Sequence, residues 1–436
     1  MKICAALVLF ATAASVAYGQ AAPATIMSPS VGPGLPSIDG VFRYSLNASE
    51  LAQTGYSGSG ATFSTSLSGD AAYTSKSTVR PFSMIYAGGL LLGNQYGRSV
   101  TTFQNFAVSQ GLVAGAWIFG ISDSVSYLPQ SPTTGLSGIP GVGDLGSVPI
   151  QGPSAGPAGG VLTNNAVSVS NDLSGSVERR LTAVTSVSGT GSWLLLRFPD
   201  GNGLDSTSIS AQAGPNHRID ARDTISGNVN YSNFSYGSGI NLTIETRGIN
   251  VVYQRVLSRT LAVSTSVGPL WISSSNKALI PSNLTVAADL SLNYSRKFTS
   301  ASLSYTRGVN GGSGVQTGAL SDGVAASIGR TYGRDWMASL SANYMHTSGL
   351  AQAPVLANTS NLGAAFLYGG GSGNTIFGGT QISRRLSNSL SAYASYNLQH
   401  QSIGGSLAAQ NAFSGFSQTF GVGISFSPRS TRLGQF

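Results

Sequence analysis

The chain has 436 residues, a formal net charge of +8 and only 9% charged residues, where an average soluble domain carries about a quarter. Its one cysteine, Cys4, lies in an apolar leader, which excludes disulfide scaffolds, zinc–thiolate sites and cysteine nucleophiles from the mature protein. Beyond that leader the longest apolar runs are "GLLLG" and "WLLLRF", far short of the roughly 20 residues of a spanning helix, which excludes a helical membrane protein.

The leader begins with Lys2, continues as an apolar run from Ile3 to Val16, and ends with Ala17 and Gly19 three and one positions before a cut ahead of Gln20. A charged start, a short apolar stretch and a small-residue site predict a cleaved secretory signal peptide over residues 1–19. Residues 20–40, rich in Pro and Ala, read as an unstructured N-terminal segment or short plug.

From Val41 onward strand-like segments dominate. They are predicted near 41–53, 61–75, 82–92, 101–110 and 113–127, the third being nearly continuous apolar. The segment from Leu128 to Gly160, dense in Gly and Pro with the single charge Asp144, is predicted to be a long loop, either folded into a lumen or lying on the surface. Without a Lys-Ser/Thr end or a following helix, its glycines form no phosphate cradle.

A hairpin-sized repeat then marks the chain. "ERRLTAV", "YQRVLSRTLAV", "YSRKFTSASL", "IGRTYGRDWMASL" and "ISRRLSNSLSA" each place basic residues before a new alternating run, mostly about 35 to 55 residues apart. Between Leu284 and Tyr294 the residues Leu284, Val286, Ala288, Leu290, Leu292 and Tyr294 occupy alternate positions, and Ala301, Leu303 and Tyr305 resume the pattern. Period-two alternation puts one set on each face of a strand, so this stretch is two strands around a turn at Ser295 to Ser300. Short basic turns are predicted near 178–182, 218–223, 255–259, 295–300, 330–335 and 384–388, with longer Gly/Ser/Asn-rich connections between them. Between Ile244 and Ile249 the apolar phase shifts, which predicts a β-bulge at Gly248.

The last strand, "FGVGISF", sets Phe420, Val422, Ile424 and Phe426 against Gly421, Gly423 and Ser425. It resembles the C-terminal strand of outer-membrane β-barrel proteins, whose alternating apolar residues and final aromatic are read by the assembly machinery. Here "SPRSTRLGQF" follows, so residues 429–436 are expected to form a periplasmic tail. The region from Val41 to Pro428 resembles such proteins of the porin-like kind. Counting the strand-like segments gives about 18 strands (range 14–18), and the resemblance implies an all-β, transmembrane, antiparallel up-and-down β-barrel in a Gram-negative outer membrane. Outer-membrane lipid, the barrel assembly machinery and small hydrophilic solutes would be its partners. A soluble sandwich or β-helix is the rival, disfavoured by the low charge and the long repeat.

On this reading Tyr294, Tyr305, Tyr344 and Trp336 mark aromatic girdles, and a small polar face (Ser291, Asn293, Ser339, Ser341, Asn343, Ser391, Ser395, Asn397) lines the lumen. Asp172, Asp289 and the pair Glu245 and Arg247 are the candidate lumen charges, either a selectivity ring or braces in the wall. No cofactor or metal motif stands out, and the excess Arg lies at the turns, which argues against nucleic acid. A lipid-facing Ser/His hydrolase needs a His beside a Ser and an orienting Asn or Asp. Of His217, His346 and His400, the latter two share parity with lipid-facing residues, and interfacial girdle histidines are the preferred account. The function expected is a passive channel for small hydrophilic solutes and not an enzyme. A plugged, surface-binding barrel is the alternative, with a lipid hydrolase behind it.

Overall fold

The computed structural model describes residues 40–55, 60–95, 98–129, 167–199, 203–237, 242–311, 316–351, 355–357, 366–368, 371–404, 414–428 and 431–433. The expected signal peptide, nearly all of the 20–40 segment, and the 128–160 loop beyond its first two residues lie outside the described residues.

Strands follow one another as antiparallel hairpins. The first group is β1 (Gly40–Thr54), β2 (Thr62–Ser75), β3 (Phe82–Gln95), β4 (Arg98–Ala114), β5 (Trp117–Pro129), β6 (Val167–Arg180) and β7 (Thr185–Arg197). Next come β8 (Ser206–Arg218), β9 (Asp223–Tyr236), β10 (Leu242–Ser258), β11 (Leu261–Ser274), β12 (Asn283–Arg296), β13 (Thr299–Asn310), β14 (Ala319–Tyr332) and β15 (Trp336–Gly349). A small ribbon, β16 (Val355–Ala357) with β17 (Phe366–Tyr368), precedes β18 (Ser372–Arg385), β19 (Leu390–Ile403), β20 (Gly415–Phe426) and β21 (Thr431–Leu433).

The sheet closes on itself. β1 pairs with β2 on one side and with β20 on the other, from Leu46 opposite Phe426 to Thr54 opposite Gln418. β15 pairs directly with β18, so 18 strands form a closed antiparallel barrel and β16–β17 stand apart from it. Among the described residues every barrel strand is thereby paired on both sides, as a spanning sheet requires. In the tail, β21 pairs with Gly40 to Phe42 of β1, so three residues of the expected extension lengthen the seam.

Alternation decides the two faces. Leu46, Phe63, Ile121, Val229, Ile249 and Leu284 are exposed on the outer face, while neighbours one position away, such as Ser45, Ser64 and Asn228, are buried on the inner face. The predicted turns fall at one end, where connections such as 115–116, 259–260 and 297–298 are a few residues long. At 115–116 the chain reverses through Gly115 at φ +61°, a left-handed conformation that a side chain disfavours. At the β8–β9 turn, Asp220 Oδ1 accepts the backbone N–H groups of Arg222 (2.5 Å) and Asp223 (2.8 Å). These bonds hold its carboxyl below the usual carboxylate range.

One expected irregularity is absent. The β9–β10 register runs unbroken from Leu242 to Arg255, and the only shift along β10–β11 lies between Val256 and Ser258. No bulge occurs at Gly248. The apolar residues change face there because Leu242 and Ile244 point inward while Ile249 and Val251 point outward.

Candidate functional site

The inner wall is polar through its middle. β1 contributes Ser45, Asn47 and Ser49, β2 contributes Ser64, Ser66 and Ser68, and β19 and β20 contribute Ser395, Asn397, Gln399, Ser417 and Thr419, all buried. Asp70 lies among them, buried, accepting the Ser45 hydroxyl at 2.8 Å and the Asn47 amide at 3.4 Å. Other inner-face groups, including Ser64 Oγ, Ser66 Oγ, Ser341 Oγ, Ser395 Oγ and Thr419 Oγ1, are buried and have no hydrogen-bond partner among the described residues. Buried hydroxyls are costly unless something satisfies them.

Toward the long-loop end the lining turns apolar. Phe234, Tyr236, Leu242, Ile244 and Ile272 meet Leu204 and Ile280 from the adjoining connections, with Leu51, Leu91 and Phe103 on another arc and Leu196 with Phe198 on a third. Gly311 and Gly318, at the two ends of the β13–β14 connection, pack on the largest of these clusters, since the Tyr236 hydroxyl donates to the Gly311 carbonyl at 3.2 Å and a Cβ on Gly318 would meet Ile244 Cδ1 at 2.6 Å. Apolar groups facing water inside a barrel bury one another, and the result is a collar at that mouth. Ile244, at 0% exposure, belongs to the largest of these clusters. Ile244→Ala should loosen this arc, at a local cost of about 2–5 kcal/mol. Conductance in a planar bilayer should rise; an unchanged value would place the narrowest point elsewhere.

The candidate charges divide between the faces. Asp172 is opposite Ser124 on the inner wall, and Asp289 is opposite Ser266 and Thr306 there; they sit on separate arcs, β6 and β12. Glu245 and Arg247 share the outer face with Ile249 and Val251. They form a 3.1 Å ion pair whose arginine side chain is 70% exposed. This pair therefore lies on the outside of the wall, beside Tyr231 and Trp271, the register partners of Arg247. Parity misleads here because the collar places apolar residues inside.

Phe420, Val422, Ile424 and Phe426 are all exposed on the outer face of β20, with Ser417, Thr419 and Ser425 buried within. At the short-turn end, outer aromatics carry cations: Arg179 over Trp117 at 5.1 Å, Arg330 over Tyr332 at 5.0 Å and Arg384 over Trp336 at 5.2 Å. Such pairs suit an interface between apolar medium and water. His217 is at this end, with Nδ1 3.0 Å from Thr185 Oγ1. His400 is exposed on the outer face of β19 near the opposite end.

His346 is different. It stands between Asn374 and Ser348, with Nδ1 2.8 Å from Asn374 Oδ1 and Nε2 3.1 Å from Ser348 Oγ. The cross-strand register that brings Asn374 to His346 is what sequence inspection lacks. The Ser two residues after the His was visible, the Asn across the wall was not.

No family model matches the chain, and no curated protein matches its sequence. Among solved structures it is similar to Pseudomonas aeruginosa OccK1 (OpdK), at 10% identity over 90% of this chain and 99% of that one, with a TM-score of 0.43. It is similar as well to P. aeruginosa OccK2 (OpdF) in complex with glucuronate, at 12% identity over 89% and 98% with a TM-score of 0.41. The copper transporter OprC shares 8% identity over 90% and 84%, with a TM-score of 0.42. The likeness is one of barrel shape.

Proposed function

We propose that the protein is an outer-membrane barrel that passes small hydrophilic solutes, with the apolar collar as its narrow point. The observation that carries this reading is the reversal of polarity across one wall. Large apolar side chains cover the outside, and Ser, Asn, Gln and Thr cover the inside. A face of exposed Leu, Ile, Val and Phe over so many strands is stable only against lipid, and a hydroxyl-rich interior is stable only when wet. The few inner carboxylates give such a path weak charge preference, so neutral solutes and both ion signs pass. Asp172 and Asp289 are proposed as modulators of that preference, and the β20 residues Phe420 to Phe426 as the strand read during assembly.

A closed barrel is favoured by one observation: Ser45, Gln401 and Ser417 on the inner face are at 0% exposure, as in a filled lumen. Single-channel recording of the refolded protein separates the two. Steps of reproducible size with little ion selectivity are expected; a folded barrel that never conducts would replace the channel with the plugged, surface-binding form.

A further inference from the structure

We propose that Ser348, His346 and Asn374 form a second functional site, an ester-hydrolysing centre on the outer wall whose substrates are acyl esters of the surrounding lipid. The proposal rests on the membrane placement above but not on an open lumen.

The three side chains are in the order that nucleophilic catalysis needs. Asn374 Oδ1 accepts at 2.8 Å from His346 and at 3.0 Å from the Tyr344 hydroxyl. Two donors on one carbonyl oxygen fix the amide's orientation, and the imidazole must then carry its proton on Nδ1. That leaves Nε2 as the lone-pair nitrogen, and the Ser348 hydroxyl donates to it at 3.1 Å. A nucleophile held by a base, and a base oriented by a third group, is the arrangement that activates serine.

Strand geometry produces it without strain. His346 and Ser348 are two apart on β15 and so share its outer face. Asn374 on β18 is the register partner of His346, and Ser372 that of Ser348. Directly opposed side chains have Cβ atoms about 4.5–5.5 Å apart, which sets the exposed Ser372 beside any carbonyl bound at Ser348. Its hydroxyl is the donor we assign to the developing oxyanion. On the other side, Asp322 is the register partner of His346, clamped by Arg307 at 2.7 Å to both carboxylate oxygens. The row Arg307, Asp322, His346, Asn374 and Ser402 crosses five strands, a polar line at the long-loop rim.

Depth selects the substrate. Ser348 lies twelve residues along β15 from Trp336, the girdle residue under Arg384. At ~3.4 Å per residue and a tilt near 40° this is about 31 Å, roughly the thickness of the hydrocarbon layer. Ser348 therefore stands at the ester level of the leaflet on the long-loop side. Tyr344, Leu340 and Ile376, exposed on the outer wall, lie toward the membrane centre from it, where acyl chains would run.

In the reaction, Ser348 Oγ bonds to the ester carbonyl carbon while its proton passes to His346 Nε2. The carbon–alkoxide bond then breaks and the imidazolium returns that proton to the departing alcohol, a lysolipid. Water attacks the acyl-serine, giving its proton to Nε2 and then to Ser348 as the fatty acid leaves.

The test uses the full chain folded in mixed micelles of detergent and phosphatidylethanolamine, probed with a fluorophosphonate and assayed for released fatty acid. A covalent adduct on Ser348 and steady fatty-acid release are expected. Ser348→Ala should lose both. His346→Gln should slow them by at least about 100-fold, and Asn374→Ala or Ser372→Ala by at least about tenfold. Heat-modified gel mobility and conductance of the variants should match the parent protein, because all four side chains face away from the lumen. A correctly folded parent protein that neither takes up the probe at Ser348 nor releases fatty acid overturns the site, whatever its conductance; an adduct with no conductance overturns only the channel.

Discussion

Deleting Phe416 to Phe426 should abolish assembly, whereas deleting residues 429–436 should leave a closed barrel. β20 supplies the whole of one seam: it pairs with β19 from Leu390 to Gln401 and with β1 from Leu46 to Thr54. Without it, both β1 and β19 would present bare backbone amides and carbonyls to lipid, each costing several kcal/mol. Among the described residues the shorter deletion removes only the pairing of β21 with Gly40 to Phe42, at the end where water reaches the backbone. Protease protection and heat-modified mobility in isolated outer membranes measure both. If the short truncation alone accumulates unassembled in the periplasm, the terminal Phe436 carries the assembly signal and Phe426 does not.

The barrel was legible because its walls obey one rule over most of their length. A strand with Leu284, Val286, Leu290 and Leu292 on one parity and Thr285, Ser291 and Asn293 on the other has a single stable placement between lipid and water, and basic turn residues count the hairpins. The rule fails where a second apolar environment exists. In the upper part of β10 the collar attracts Leu242 and Ile244 inward, so the parity that means lipid elsewhere means lumen there. Glu245 and Arg247 were consequently expected inside and stand outside. The collar arises from residues far apart in sequence, Leu204, Ile244 and Ile280 among them, and period-two patterning carries no information about such distant contacts. Ser348, His346 and Asn374 were hidden for a related reason. Ser348 and Asn374 are 26 positions apart in the sequence, with residues 350–371 connecting β15 to β18 between them. Only the register of that pair shows that an asparagine rather than the neighbouring Thr375 faces the imidazole. Thr375 is buried on the inner side.

Leu290→Arg should destabilise the inserted barrel by about 2–4 kcal/mol, the cost of arginine on the lipid face at the bilayer midplane, and Ser291→Arg should not. Leu290 is 44% exposed on the outer face of β12, opposite Tyr305 on one side and Thr265 on the other. It stands midway along a 14-residue strand, so a guanidinium there must snorkel through half the leaflet or draw water down to it. Ser291, one position on, points into the polar interior opposite Ser264 and Ser304, where an arginine finds hydroxyls and, at Asp289 two residues away, a carboxylate on the same face. Reversible unfolding in urea from lipid vesicles gives the two free energies directly. Similar losses for both variants would show that lipid and lumen do not divide along this strand, and with that division the membrane placement, the polar path and the outer-wall ester site would all have to be reassigned.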